Sequence, residues 1–167
     1  MLLGKVLAEA AMQEDKFVSF LPSYGAEVRG GTCHCAVVIS NKEIGSPYVD
    51  KADTLIIMNE PSLKKFKDRI KNKGLLIVNS SLVRRNIENR PRIIKQPFTD
   101  IAIKLGNIRV ANIVALGCFI NQKNIVDSKS VSSAIQAIAP EDKKNLIEIN
   151  QKALFIGMQM SNVRSFA

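Results

Sequence analysis

The chain has 167 residues, 46% of them hydrophobic, which suits one domain with a real core and is too apolar for a disordered chain. Its 24 lysines and arginines against 15 aspartates and glutamates leave a net charge of +9, pointing to an acidic partner: nucleic acid, an acidic protein or a phosphorylated cofactor. No apolar run approaches a membrane span, and the N-terminus lacks a basic leader and is interrupted by Lys5 and Glu9, so a soluble cytoplasmic protein is expected.

The spacing predicts a helix over MLLGKVLAEAAM, with Leu3, Val6, Leu7 and Ala10 on one stripe. Neither a capping residue nor a strand precedes it, as an α/β fold normally provides, so the chain is expected to begin inside a domain whose first strand is missing. KFVSFL (16–21) reads as a short strand ended by Pro22, and TCHCAVVIS (32–40) as a second, with Asn41-Lys42 a tight turn before Glu43-Ile44. TLIIM (54–58) is a continuous apolar run, expected to be buried on both faces. Asn59 caps the next helix and Pro61 lies near its first turn. Its apolar stripe is Leu63, Phe66 and Ile70; Lys64, Lys65, Lys67 and Lys71 face water, and Gly74 is expected to end it. LLIV (75–78) is another buried strand, closed by Asn79-Ser80-Ser81, and RIIK (92–95) a short one stopped by Pro97. Helices are expected over 99–105, 109–120, 130–138 and 140–160, the last with a stripe at Leu146, Ile149, Ala153, Ile156 and Met160. With no repeat and no linker, the pattern describes a single α/β domain over 1–167: an open, largely parallel sheet flanked by helices, with a helical C-terminal end.

The densest chemistry lies in SYGAEVRGGTCHCAVVIS (23–40), where Tyr24, Glu27 and Arg29 sit among Gly25, Gly30 and Gly31 just before a strand. Glycine lets backbone approach a neighbour closely, and arginine carries a permanent planar cation suited to phosphate or carboxylate. The loop therefore reads as a contact surface for a partner or an anionic ligand. Cys33-His34-Cys35 is a poor metal motif: on a strand the two cysteines share one face and His34 takes the other, and no second ligand pair exists. The three cysteines are expected to be free thiols. His34 is the single histidine, and no G-x-S-x-G elbow, Walker A motif or intact G-x-G-x-x-G is present, so neither a nucleophilic enzyme nor a phosphate-loop enzyme is indicated. The basic clusters 64–73 and 84–95 lack interleaved aromatics, which argues against nucleic-acid binding. Asn112, inside the apolar run RVANIVALGCF, is either a satisfied amide or a group that hydrogen-bonds a ligand or a facing loop.

Taken together, SYGAEVRGGTCHCAVVIS, EIGSPYVDKADTLIIMNEPSLKKF, GLLIVNSS and LGNIRVANIVALGCF resemble, in order, the gamma subunit of 2-oxoacid:ferredoxin oxidoreductases, most of all the 2-oxoglutarate type. The likeness runs from about Leu3 to about Gly157, and YG-x-E-x-RGGT-x-x-C is its most specific part. The resemblance implies a subunit with no complete active site, partnered by alpha, beta and delta subunits. In such a complex a 2-oxoacid is decarboxylated on thiamine diphosphate, electrons pass through iron–sulfur clusters to ferredoxin, and acyl-CoA is released. Thiamine diphosphate, its magnesium and the clusters would sit on partner subunits; the gamma fold would help hold coenzyme A. Arg29, Gly30, Gly31 and Asn112 would contact the coenzyme, and Tyr24, Gly25, Glu27 and Arg29 a neighbouring subunit. The resemblance puts residues 23–32 at the carboxyl edge of the sheet. The family's opening strand and G-x-G-G-Q-G loop, which would precede the helix at Leu2 to Met12, are not in this sequence. Two alternatives from other classes stay open: a free-standing nucleotide- or nucleic-acid-binding module, and an inactive structural remnant.

Overall fold

The computed structural model describes residues 1–24, 32–85, 87, 92–140 and 145–160. It opens on helix α1 (Leu2–Met12), which packs its small and apolar residues, Gly4, Val6, Leu7, Ala8, Ala10 and Ala11, inward. After a turn with Asp15 at φ 55, β1 (Phe17–Ser23) and β2 (His34–Ser40) pair antiparallel, Phe17 opposite Ser40 and Ser23 opposite His34. The first strand runs through Pro22, where the sequence suggested a stop; in a two-stranded ladder a residue without an N–H is tolerated on the open edge. The segment after Asn41-Lys42 forms bends and no strand at Glu43-Ile44.

The parallel sheet follows, in the order β3 (Ala52–Ile57), β4 (Ile70–Asn79), β5 (Ile93–Gln96). The central strand is buried continuously from Gly74 to Asn79, as its apolar run requires. TLIIM is not buried on both faces as expected: only Ile57 of β3 is fully buried, because β3 is an edge strand of this sheet. Between them α2 (Glu60–Phe66) starts where Asn59 Oδ1 accepts from the Ser62 amide at 3.0 Å, with Pro61 in its first turn. The helix ends at Phe66, well short of Gly74. Ile70 already pairs with Ala52 in the sheet, and the register then shifts before Thr54 meets Leu75. Gly74 serves that irregularity: a Cβ there would lie 2.5 Å from Ile70 Cγ1 and 2.9 Å from the Lys71 carbonyl oxygen.

The chain closes with α3 (Phe98–Lys104), a 3-10 turn (Ile108–Val110), α4 (Ala111–Lys123), α5 (Ser128–Ile138) and α6 (Asn145–Met158). Two cores flank the parallel sheet. Leu75, Ile77 and Ile94 face a large one built with α1, α3, α4, α5 and α6; Leu76, Val78 and Ile57 face a smaller one with Leu63, Phe66 and Ile70. Inside the large core α4 and α6 cross with their backbones nearly touching at Gly117 and Gly157. No helix among the described residues is long and apolar enough to cross a membrane.

The turn after α1 is tied to the α4–α5 connection. Glu14 Oε1 accepts from the Asp127 amide at 2.6 Å, Lys16 Nζ meets Glu14 Oε2 at 2.8 Å, and Lys16 Nζ also donates to the Ile125 carbonyl. Burial opposes ionisation of Glu14, but the donors Lys16, the Asp127 amide and Ser130 outweigh it and hold its pKa below the usual carboxylate value. A depressed folded-state pKa contributes stability that is complete above the unfolded value and lost as pH falls through the folded one. The melting temperature of wild type should therefore fall more steeply between about pH 5 and pH 3 than that of Glu14→Gln. Parallel curves for the two would show that this carboxylate does not couple folding to pH.

Candidate functional site

Ligands of open α/β sheets bind outside the carboxyl ends of the parallel strands. Here that edge is made by Met58-Asn59 after β3, Asn79-Ser80-Ser81 after β4 and Pro97 after β5. Its organiser is Asn79, fully buried at the end of the central strand. Asn79 Nδ2 donates to the Met58 carbonyl oxygen (3.1 Å) and to Thr99 Oγ1 (2.8 Å), while Oδ1 accepts from the Thr99 amide (3.3 Å). The Ser80 amide donates to the Gln96 carbonyl oxygen at 2.9 Å, and Ser81 Oγ accepts from the Asp100 amide at 3.1 Å. Three strand ends and the start of α3 are thereby locked together, and the amide of Asn79 is used up in the lock. Arg85 Nε lies 2.7 Å from Glu60 Oε1 beside it, an exposed pair of small energetic weight.

Of the residues singled out in the sequence, Tyr24 is 74% exposed at the end of β1. Gly25, Glu27, Arg29, Gly30 and Gly31 lie outside the described residues. Just before β2, Thr32 Oγ1 accepts from Lys65 Nζ of α2 at 2.9 Å, so the entry to β2 is anchored to α2. Asn112 is half-buried in the first turn of α4, a helix with no side-chain N-cap. Its Oδ1 is buried and meets no donor among the described residues. A buried acceptor without a partner is uncommon in folded proteins and fits a hydrogen-bond donor supplied from outside the chain.

Cys33 is exposed and precedes β2, so the strand alternation applies to His34 and Cys35 alone. Cys35 packs under α1, its Sγ 2.4 Å from where a Cβ on Gly4 would stand, while His34 turns to the other face and packs against Phe66 with ring centroids 4.6 Å apart and planes tilted by 47°. Burial, then the charges of Lys65 and Arg69, lower the His34 pKa. Cys118 is buried and its thiol is pushed up to about 11, so it stays protonated and unreactive. Among the described residues no group of three or more His, Cys, Asp or Glu could hold a metal ion.

A family model described as pyruvate ferredoxin/flavodoxin oxidoreductase matches residues 1–160. The chain belongs to this family. It is 37% identical over 160 residues to 2-oxoglutarate synthase subunit KorC of Methanocaldococcus jannaschii, covering 90% of this chain and 83% of that protein. It is also 35% identical over 158 residues to ketoisovalerate oxidoreductase subunit VorA of Methanothermobacter thermautotrophicus, covering 94% of this chain; the chain spans only 33% of that relative's length. The crystal structure of the keto/oxoacid ferredoxin oxidoreductase gamma subunit from Geobacter sulfurreducens superposes with a TM-score of 0.80 at 28% identity, covering 93% of this chain and 87% of that one.

Two features of this oxidoreductase-family domain escaped the sequence reading. Asn79 was legible only as a turn residue closing LLIV, because its partners Met58 and Thr99 come from other segments. The grouping of His34 with Phe66, Lys65 and Arg69 was equally hidden. The lone histidine and the aromatic in a lysine-rich helix were visible signals, but their meeting depends on how β2 docks on α2.

Proposed function

We infer that residues 1–167 form one gamma-type domain of a multi-subunit 2-oxoacid:ferredoxin oxidoreductase of the 2-oxoglutarate type, serving assembly and the docking of coenzyme A. The observation that carries this reading is the family match over nearly the whole described chain. KorC, matched over 83% of its length, supports 2-oxoglutarate over ketoisovalerate, since VorA is matched over 33% of its own. On this reading the protein is cytoplasmic, works with alpha, beta and delta subunits, and passes electrons to ferredoxin; thiamine diphosphate, magnesium and iron–sulfur clusters belong to the partner subunits.

Coenzyme A supplies the thiol that takes up the acyl group. The residues of this chain suit a binding and orienting role. Asn112 Oδ1, a buried acceptor without a donor among the described residues, fits an amide N–H or hydroxyl of the pantetheine arm. Arg29 offers a fork for a phosphate, and Gly30 and Gly31 permit close backbone approach. Tyr24, Gly25, Glu27 and Arg29 would face the neighbouring subunit.

The test is reconstitution with the remaining subunits and an assay of 2-oxoacid- and CoA-dependent reduction of an electron acceptor. Omitting this chain should abolish activity, and 2-oxoglutarate should outcompete pyruvate and 2-oxoisovalerate. Asn112→Ala and Arg29→Ala should each raise KM for CoA about tenfold, the loss of one good hydrogen bond, with kcat little changed. Asn112→Ala should cost the free chain little stability, because Oδ1 meets no partner among the described residues. An unmoved KM in both variants removes the coenzyme role, and a preference for 2-oxoisovalerate removes the 2-oxoglutarate assignment.

A further inference from the structure

The β1–β2 ladder is poorly covered: no residue of either strand is fully buried. The pleat gives it two faces. One carries Phe20, Val37 and Cys35, whose side chains lie within 3.2 Å of a Cβ placed on Gly4, so it packs on α1. The other carries Phe17, Ser19, Leu21 and Ser23 opposite Ser40, Val38, Ala36 and His34. Phe17 is 47% exposed there, and Phe17, Leu21 and Val38 belong to neither core.

At the His34 end this face meets a concentration of positive charge. Lys65 Nζ lies 5.4 Å and the Arg69 guanidinium 5.8 Å from the centroid of the same Phe66 ring against which His34 packs. Lys64 and Lys67 are exposed on either side of Lys65 and Phe66 in sequence. The ion pairs Lys16–Glu14, Lys71–Asp53, Arg85–Glu60 and Lys152–Glu148 use neither Lys65 nor Arg69; Lys65 Nζ donates to the neutral Thr32 Oγ1 at 2.9 Å, and Asp68 is the one carboxylate within the 64–69 segment. His34 Nδ1 is buried and has no hydrogen-bond partner among the described residues. Burial first, and the charges of Lys65 and Arg69 second, disfavour a charged His34, and the two cations repel each other, a cost that an incoming carboxylate would relieve. Two concave sites among the described residues lie around Lys16 and are lined by none of His34, Lys65, Phe66 and Arg69. A mixed face that carries Phe17, Leu21 and Val38 between serines and ends in cations has the anatomy of a protein interface.

We propose that this face, from Phe17, Leu21 and Val38 to the Lys65–Arg69 pair, docks a carboxylate-bearing surface of another subunit of the complex. The proposal rests on the reading of the chain as a subunit and adds which surface docks and what chemistry it meets.

The complex is assembled from co-expressed subunits, and its dissociation constant is measured by analytical ultracentrifugation at about 0.05 and 0.5 M NaCl. Lys65→Glu with Arg69→Glu should weaken assembly on the order of 100-fold. Lys104→Glu, at an exposed position of α3, should leave it unchanged. Lys65→Gln with Arg69→Gln, a milder pair checked by circular dichroism, should weaken assembly and flatten its salt dependence. Assembly indifferent to both double variants overturns the surface while leaving the subunit reading intact. Failure of the wild-type chain to join any complex overturns both. Binding of a single-stranded oligonucleotide that the double variants abolish, with assembly untouched, overturns the proposal in favour of a nucleic-acid face.

Discussion

Gly157→Ala should destabilise the chain by about 3 kcal/mol, seen as a fall in Tm of roughly 6–12 °C. A Cβ at Gly157 would stand 2.1 Å from the Val114 carbonyl oxygen and 3.0 Å from the Cys118 nitrogen and the Gly117 Cα; one at Gly117 would stand 2.2 Å from the Leu154 carbonyl oxygen. Every one of these neighbours is helix backbone, which cannot swing aside as a side chain does. The methyl group fits only if α4 and α6 separate, which loosens the packing of Ala153 and Leu154 against the large core. The sign is informative. Alanine is the better helix former by about 1 kcal/mol, so intrinsic propensity alone predicts stabilisation. Gly45→Ala, where nothing lies within 4 Å, serves as the control and should stay within about 0.5 kcal/mol of wild type. An unchanged or higher Tm for Gly157→Ala would mean that the helices do not cross in backbone contact.

Gly117 and Gly157 show what periodicity leaves out. Each was unremarkable in its own helix, and only the crossing of helices distant in sequence gives them meaning. The strands make the same point. LLIV and TLIIM are equally apolar, yet the first is the central strand, buried throughout, and the second an edge, half-covered. Apolar pattern reports that a segment seeks a core; it does not report its rank in the sheet. Local signals were read well where the physics is local: Asn59 caps α2 as its side chain and position require. Gly74 was misread because a helix C-cap asks glycine for a left-handed φ, whereas here the demand is for space: a Cβ would meet Ile70 and the Lys71 carbonyl oxygen, which local sequence does not report. In the site, Asn112 stood out in sequence as an amide among apolar residues, and its oxygen is buried without a donor among the described residues. Asn79, with the same side chain, looked like a turn residue and holds three strand ends together.

That lock gives the second large effect. Asn79→Ala should cost about 3 kcal/mol, since it leaves the Met58 carbonyl oxygen and the Thr99 amide and hydroxyl without their partner at a buried position. Asn79→Asp separates the donor from the acceptor. It keeps an oxygen for the Thr99 amide but sets a second oxygen where Nδ2 faced the Met58 carbonyl. An ionised carboxylate there is buried against an acceptor, so its folded-state pKa rises above the unfolded value near 3.9. For a raised pKa the favourable state is the protonated one: stability is greatest below the unfolded pKa and is lost as pH climbs through the folded one. The gap between the variant and wild type should therefore narrow on acidification; the Glu14 contribution is common to both proteins and cancels from that gap. Chemical denaturation at about pH 4 and pH 8 reads the gap at each pH. If Asn79→Asp is as far below wild type at the lower pH as at the higher, the donor from Nδ2 is not what holds the carboxyl edge in register.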